Sequence, residues 1–133
     1  MSTATVAKYV FGRTFDLGFD EAIKRVTDEP AKERVGVLTE IDVETTLKRK
    51  LYIDVVPYWI LGACNPEFAH KAMELVPQIG ALLPCNVMVR EDEGKTRVEI
   101  MDPRLMLQLV QRPEIEGTAT AVRKRLERVL ALI

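Results

Sequence analysis

Two cysteines, Cys64 and Cys85, are the residues of this chain best suited to covalent, redox or metal chemistry, and each is followed directly by an asparagine. They stand in Leu61-Gly62-Ala63-Cys64-Asn65-Pro66 and Leu83-Pro84-Cys85-Asn86. Cys64 ends a predicted strand and precedes the first residue of a predicted helix. Free N–H groups and the positive end of a helix dipole there favour thiolate over thiol. The plainer reading is a small apolar side chain packed at a strand end, since free cysteine is among the most buried residue types. If the third and fourth strands are neighbours, with these boundaries on one side, the two sulfurs could form a redox pair, half a metal site or a sulfur relay. Their separation in sequence is not the Cys-x-x-Cys of redox or zinc motifs.

His70 is the single histidine, six residues after Cys64. At 1.5 Å per helical residue it lies about 7 Å beyond Asn65 along the axis, out of hydrogen-bond reach of the cap. It reads either as a base or ligand toward a neighbouring element or as a partly exposed helix residue. Cys64, Cys85 and His70 supply at most three of the four ligands a structural zinc needs, so no metal site is expected. The sequence has no Gly-x-Gly-x-x-Gly fingerprint, no phosphate-binding Gly-x-x-x-x-Gly-Lys loop and no Gly-x-Ser-x-Gly elbow. Ser2 is the only serine, which removes serine-hydrolase chemistry. Paired carboxylates such as Asp20-Glu21 and Glu91-Asp92-Glu93 sit in solvated charge patterns. The candidate ligand-binding residues are therefore Cys64, Asn65, His70, Cys85 and Asn86. No residue is assigned a catalytic role and no cofactor is indicated.

The elements that must position these residues follow from periodicity. Val6 to Gly12 reads as a first strand and Val35 to Glu40 as a second. Between them Ala22, Ile23 and Val26 mark one face of a helix that Pro30 ends. Asp42 is a suitable N-cap for a second helix, with Glu44 in its first turn and Lys48-Arg49-Lys50 at its far end, both favourable to the dipole. Its expected inner stripe is Val43, Leu47 and Leu51. Tyr58 to Cys64 is a near-continuous apolar run, as in a strand covered on both faces. Tyr58 and Trp59 must point to opposite sides of it. Asn65-Pro66-Glu67 starts a third helix, whose expected buried stripe is Ala69, Ala72, Met73 and Val76, closed by Pro77. Asn86–Arg90 and Thr96–Met101 form a hairpin around Asp92-Glu93-Gly94-Lys95. Asp102-Pro103 opens a short helix through Val110. After Pro113 a last helix carries Val122, Leu126, Val129, Leu130 and Ile133.

The order β-α-β-α-β-α-β-β-α-α predicts an α+β, two-layer α/β sandwich: a mixed sheet of about five strands with helices mainly on one face. With 133 residues, 47% hydrophobic and 29% charged, the chain fits one globular domain spanning residues 1–133. A net charge of -1 offers no general attraction to a polyanion, so nucleic acid is not an expected partner. Lys48-Arg49-Lys50 and Arg123-Lys124-Arg125 read as solvated helix faces. The short polar start lacks the features of a signal peptide, and no apolar run approaches the length of a membrane span. The expected compartment is the cytoplasm, where both cysteines are reduced.

The run Tyr58-Trp59-Ile60-Leu61-Gly62-Ala63-Cys64-Asn65-Pro66-Glu67-Phe68-Ala69-His70-Lys71-Ala72, followed by Ile79-Gly80-Ala81-Leu82-Leu83-Pro84-Cys85-Asn86-Val87, resembles the signature of a bacterial and archaeal family, the domain-of-unknown-function family numbered 302. The resemblance extends from the first strand through Asp42 and Lys50-Leu51 to Asp102-Pro103. It implies a small two-layer α/β fold and a homodimer, and it brings no mechanism. Cys64, Asn65, Pro66, Pro84, Cys85 and Asn86 match on motif and carry over as a candidate site only.

Three functions fit these observations. The first is a ligand-binding or sensing homodimer with a small-molecule pocket near the cysteine segments. The second is a thiol-based enzyme or sulfur-transfer protein using Cys64 and Cys85. The third is a non-catalytic interaction protein whose cysteines belong to the core.

Overall fold

The computed structural model describes residues 8–133, with the side chains of Met106 and Leu107 left aside. The N-terminal part of the first predicted strand, Val6 and Ala7, lies outside the described residues. The observed strand β1 spans Val10–Phe15, three residues beyond the predicted end at Gly12. Helix α1 (Phe19–Lys32) buries Ala22 and Val26 and runs two residues past Pro30, which is itself buried in the last turn. Strand β2 is Gly36–Asp42, α2 is Val43–Leu51, β3 is Tyr58–Cys64 and α3 is Pro66–Leu75. A 3-10 turn at Pro77–Leu82 leads to β4 (Cys85–Asp92) and β5 (Lys95–Met101). Helix α4 (Leu105–Val110), a 3-10 turn at Pro113–Ile115 and helix α5 (Glu116–Leu132) complete the chain.

The five strands lie in the order β1-β5-β4-β3-β2, and every neighbouring pair is antiparallel. The sandwich architecture is as expected, but the sheet is not mixed in strand direction. Strands β1 and β2 do point the same way, as a β-α-β order implies, yet they occupy opposite edges and never pair. Helices α2 and α3 each return the chain to the adjacent strand, so those connections make antiparallel neighbours. The β4–β5 turn is two residues long, with Glu93 and Gly94 both at positive φ (52° and 80°), the backbone that a tight hairpin demands.

The core lies between one face of the sheet and helices α1, α3 and α5. Leu61, Ala63, Val87, Val89, Val98 and Ile100 project from the sheet onto Ala22, Val26, Phe68, Ala72, Ala119, Val122 and Leu126. Alternation along β4 and β5 buries Val87, Val89, Val98 and Ile100 and leaves Met88, Arg90, Arg97 and Glu99 on the other side, as the period of two requires. Strand β3 is not covered on both faces. Only Leu61, Gly62 and Ala63 are buried, because α1, α3 and α5 all pack on one side. Trp59 joins the core layer, while Tyr58 alternates away from it.

Helix α2 also departs from expectation. Its N-cap is as read, with Asp42 Oδ1 accepting from Thr45 N at 3.0 Å. The predicted inner stripe is not buried: α2 has no buried residue, and Leu51 is 60% exposed. The helix sits at the sheet margin, chiefly against β2 and β3, outside the layer that α1, α3 and α5 form on the sheet. In α3, Ala69 and Ala72 are buried with Phe68, whereas Met73 is exposed.

Candidate functional site

The sheet register brings the two cysteine segments side by side. Gly62 faces Asn86 and Ala63 faces Cys85 across β3 and β4. A side chain at Gly62 would collide with the Thr39 hydroxyl and the Pro84 ring, so glycine and proline here are two halves of one close contact. That contact accounts for part of the paired motif without any chemistry.

The thiols themselves are not brought together. Cys85 shares the helix-covered face with Ala63, whereas Cys64, one residue on, alternates away from it. Both are free. The expected redox or relay pair is therefore corrected: adjacent strand ends do not make adjacent side chains when the register is offset by one residue. Burial pushes the Cys85 thiol up to about 11, and the negative charges of Cys64 and Asp102 add to the effect. Burial also raises the Cys64 thiol, the opposite direction from the lowering expected of a cysteine just before a helix. Among the described residues, no group of three His, Cys, Asp or Glu side chains is placed to hold a metal ion.

Asn65 caps α3 as its sequence requires, its Oδ1 accepting from Phe68 N at 3.0 Å. Cys64 and Asn65 then share a cavity of about 370 Å³ with Ala31, Arg34, Gly36, Leu38, Pro66 and Glu67. Its outer wall is an exposed ion pair, Arg34 to Glu67 at 3.3 Å. Arg34 was not visible as a candidate from sequence. It ends α1 in the left-handed region at φ 61°. Val35 N donates to Pro30 O and Arg34 N to Ala31 O, the double bond of a helix terminus that normally selects glycine.

The remaining candidates fall elsewhere. Asn86 is exposed on the face of β4 away from the helices. His70 is exposed on α3 and lies 3.0 Å from Glu74, one helical turn away. Neither lines the cavity, and neither does Cys85. The five residues therefore do not form one pocket; Cys64 and Asn65 do share one.

A second polar cluster escaped the sequence reading. Asp102 is 9% exposed, and its carboxylate accepts from Arg104 N, Arg104 Nε and NH2, and Arg123 NH1, the last at 2.6 Å. Arg123 also donates to Glu127 and lies 3.7 Å from the centre of the Phe11 ring. Arg123 is thus no solvated residue, although its neighbour Lys124 is exposed. Burial pushes the Asp102 carboxyl up, but hydrogen bonds from Arg104 and the charges of both arginines prevail and hold it below the usual range. Asp102-Pro103 was readable as a helix start. Its arginine partner from α5 was not, because the two are 21 residues apart. Beside it is an open hollow of about 530 Å³ lined by Lys8, Tyr9, Arg104, Leu105 and Gln108. A further groove of about 400 Å³ runs between α3 and the start of α5.

Among the described residues, no helix is long and apolar enough to cross a membrane. No curated protein matches the chain. A crystal structure of an uncharacterized conserved DUF302 protein from Bacillus stearothermophilus superposes with a TM-score of 0.87 at 26% identity, over 94% of this chain and 98% of that one. The family model described as "Domain of unknown function DUF302" matches residues 11–133. With residues 11–133 matched by that model, and the fold shared over nearly the whole length, this chain belongs to the DUF302 family.

Proposed function

We propose that the domain is a small-molecule binding or sensing module whose ligand occupies the cavity at the end of β3 and the start of α3. The observation that supports it is that Cys64 and Asn65 share that cavity, about 370 Å³ in volume, which falls within the range of small-ligand sites. The thiol-enzyme alternative needs a sulfur poised as thiolate near neutral pH, and burial moves both thiols the other way. Cys64 then serves as a neutral wall group, and Cys85 as part of the packed core. A fragment screen read by amide chemical shifts tests this. Fragments should move the Gly36, Cys64 and Asn65 signals, and Gly36→Ile, whose side chain enters open space, should abolish the response. A screen that leaves those signals still, or a Gly36→Ile variant that responds as wild type, refutes the reading.

A second observation favours a homodimer, as the family resemblance implies. The sheet face opposite α1, α3 and α5 carries Ile60, Met88 and Met101, with Ile41 48% exposed at its margin. Its charges are already matched within the protomer, Arg90 to Glu99 at 2.9 Å and Arg97 to Glu99 at 3.3 Å. A second copy can cover this face without stranding an unpaired charge. Sedimentation equilibrium should give a dimer that Ile60→Arg converts to a folded monomer; a monomeric wild type rules the arrangement out.

A further inference from the structure

We infer that the groove between α3 and α5 binds an amphipathic anion, a hydrocarbon chain of medium length ending in an anionic oxygen group, with Lys71 and Arg125 as its charge partners. This site is separate from the cavity at the end of β3 and does not depend on the binding reading above.

Two hollows make up the groove. The larger, about 400 Å³, has Phe68, Ala72 and Ile115 as its floor and Leu75 at its rim. The floor residues belong to the core and Leu75 is 39% exposed, so this end is a hydrocarbon slot between α3 and the approach to α5. A smaller hollow of about 120 Å³ lies further along α5 and reaches Val122 and Arg125. Phe68, Lys71 and Thr118 line both, so the two meet at those residues.

Charge is matched unevenly along this groove. Three carboxylates line it, and each lies against a basic side chain that does not: Glu67 against Arg34 at 3.3 Å, Glu74 against His70 at 3.0 Å and Glu114 against Arg112 at 2.7 Å. The two cations that line it are Lys71 and Arg125, and among the described residues neither side chain makes a hydrogen bond or ion pair with the protein. Arg125 acts on Glu33 only through space, and Glu33 is already bonded to Arg128 at 3.1 Å. Both cations line the smaller hollow. An anionic group there gains from both without displacing a resident carboxylate, and the half-buried position of Arg125 limits screening by water. A bare anion leaves the hydrocarbon slot empty, and a neutral oil leaves both charges unmatched. A ligand with both parts suits both hollows.

Octanoate, octanol, octylammonium and acetate, each titrated into the whole chain and followed by amide chemical shifts, separate the two halves of the ligand. Octanoate should move the Phe68, Lys71, Ala72 and Thr118 signals. It should bind at least about tenfold tighter than each of the other three, the worth of one charge-assisted bond or of about two buried methylenes. Lys71→Gln combined with Arg125→Gln should bring octanoate down to the level of octanol and leave octanol unchanged. Any of the three controls binding as tightly as octanoate, or octanoate binding unchanged by the double variant, overturns the inference. No response from any probe overturns it as well. Shifts confined to Gly36, Cys64 and Asn65 overturn it and leave the binding reading above standing. Groove shifts that persist in Gly36→Ile uphold it whatever becomes of that other cavity. Flotation with phosphatidylglycerol vesicles separates a free acid from a lipid headgroup, and capture by vesicles without a response to octanoate overturns the groove site in favour of a membrane surface. The wild-type series decides the matter even if the double variant fails to fold.

Discussion

Asp102 and Asn65 are both buried polar residues that directly follow a strand and stand shortly before a helix, yet their surroundings differ. Around Asp102 every carboxylate lone pair in reach is matched: two arginines and a backbone N–H converge on it, and Phe11 covers the face of Arg123. Asn65 spends its Oδ1 on the cap of α3 and lines a cavity of about 370 Å³. The first arrangement is paired within itself and ties β1, α4 and α5 to the end of β5, and Asp102 and Arg104 also line the open hollow beside it. The second opens onto that cavity.

The largest effect expected is at the Asp102 cluster. Asp102→Ala leaves the Arg123 guanidinium half-paired in a mostly buried place, and should lower unfolding free energy by about 3–5 kcal/mol in urea titrations. A loss below about 1 kcal/mol would place Asp102 among ordinary surface residues and dissolve the contrast.

The same carboxylate sets a pH dependence. Its folded pKa lies below its unfolded one, so its contribution is complete above the unfolded value of about 4 and disappears as pH falls through that value toward the folded pKa. Thermal unfolding between neutral and acid pH should therefore show a decline that Asp102→Asn reduces. An identical acid profile for the variant would remove Asp102 from the account.

The cysteines sharpen the comparison at smaller scale. Cys85→Ser puts a hydroxyl into the core and should cost about 1–3 kcal/mol, while Cys64→Ser, at a cavity wall, should cost under about 1 kcal/mol. Alkylation by iodoacetamide should reach Cys64 before Cys85, and Cys85 should react below pH 11 mainly through unfolding. The reverse order would mean that the burial assigned to the two thiols is exchanged.

The smallest effect has the opposite sign. Arg34 holds a left-handed conformation where glycine is relaxed, so Arg34→Gly should stabilise the fold by about 1 kcal/mol. The gain would mark Arg34 as retained for its guanidinium. A loss would show that its ion pair with Glu67 outweighs the backbone strain.

The sequence alone determined the local elements. Asp42 and Asn65 were legible as caps because capping is settled within three residues of chain. The hairpin turn was legible from Gly94, and the core faces of β4, β5 and α5 from periodicity. The two cysteine segments were legible as the family's signature, and as neighbours only on the condition that the third and fourth strands pair. The tertiary structure decided what periodicity cannot carry. Strand order put β1 and β2 at opposite edges and made the sheet antiparallel throughout. Placing α1, α3 and α5 on one face left Tyr58 and Ile60 off the core and α2 without a layer. A register offset of one residue turned Cys64 away from Cys85, because side chains alternate every residue along a strand. Asp102 met Arg123, and Cys64 came to share a cavity with Arg34, only because the fold brings together residues distant in the chain.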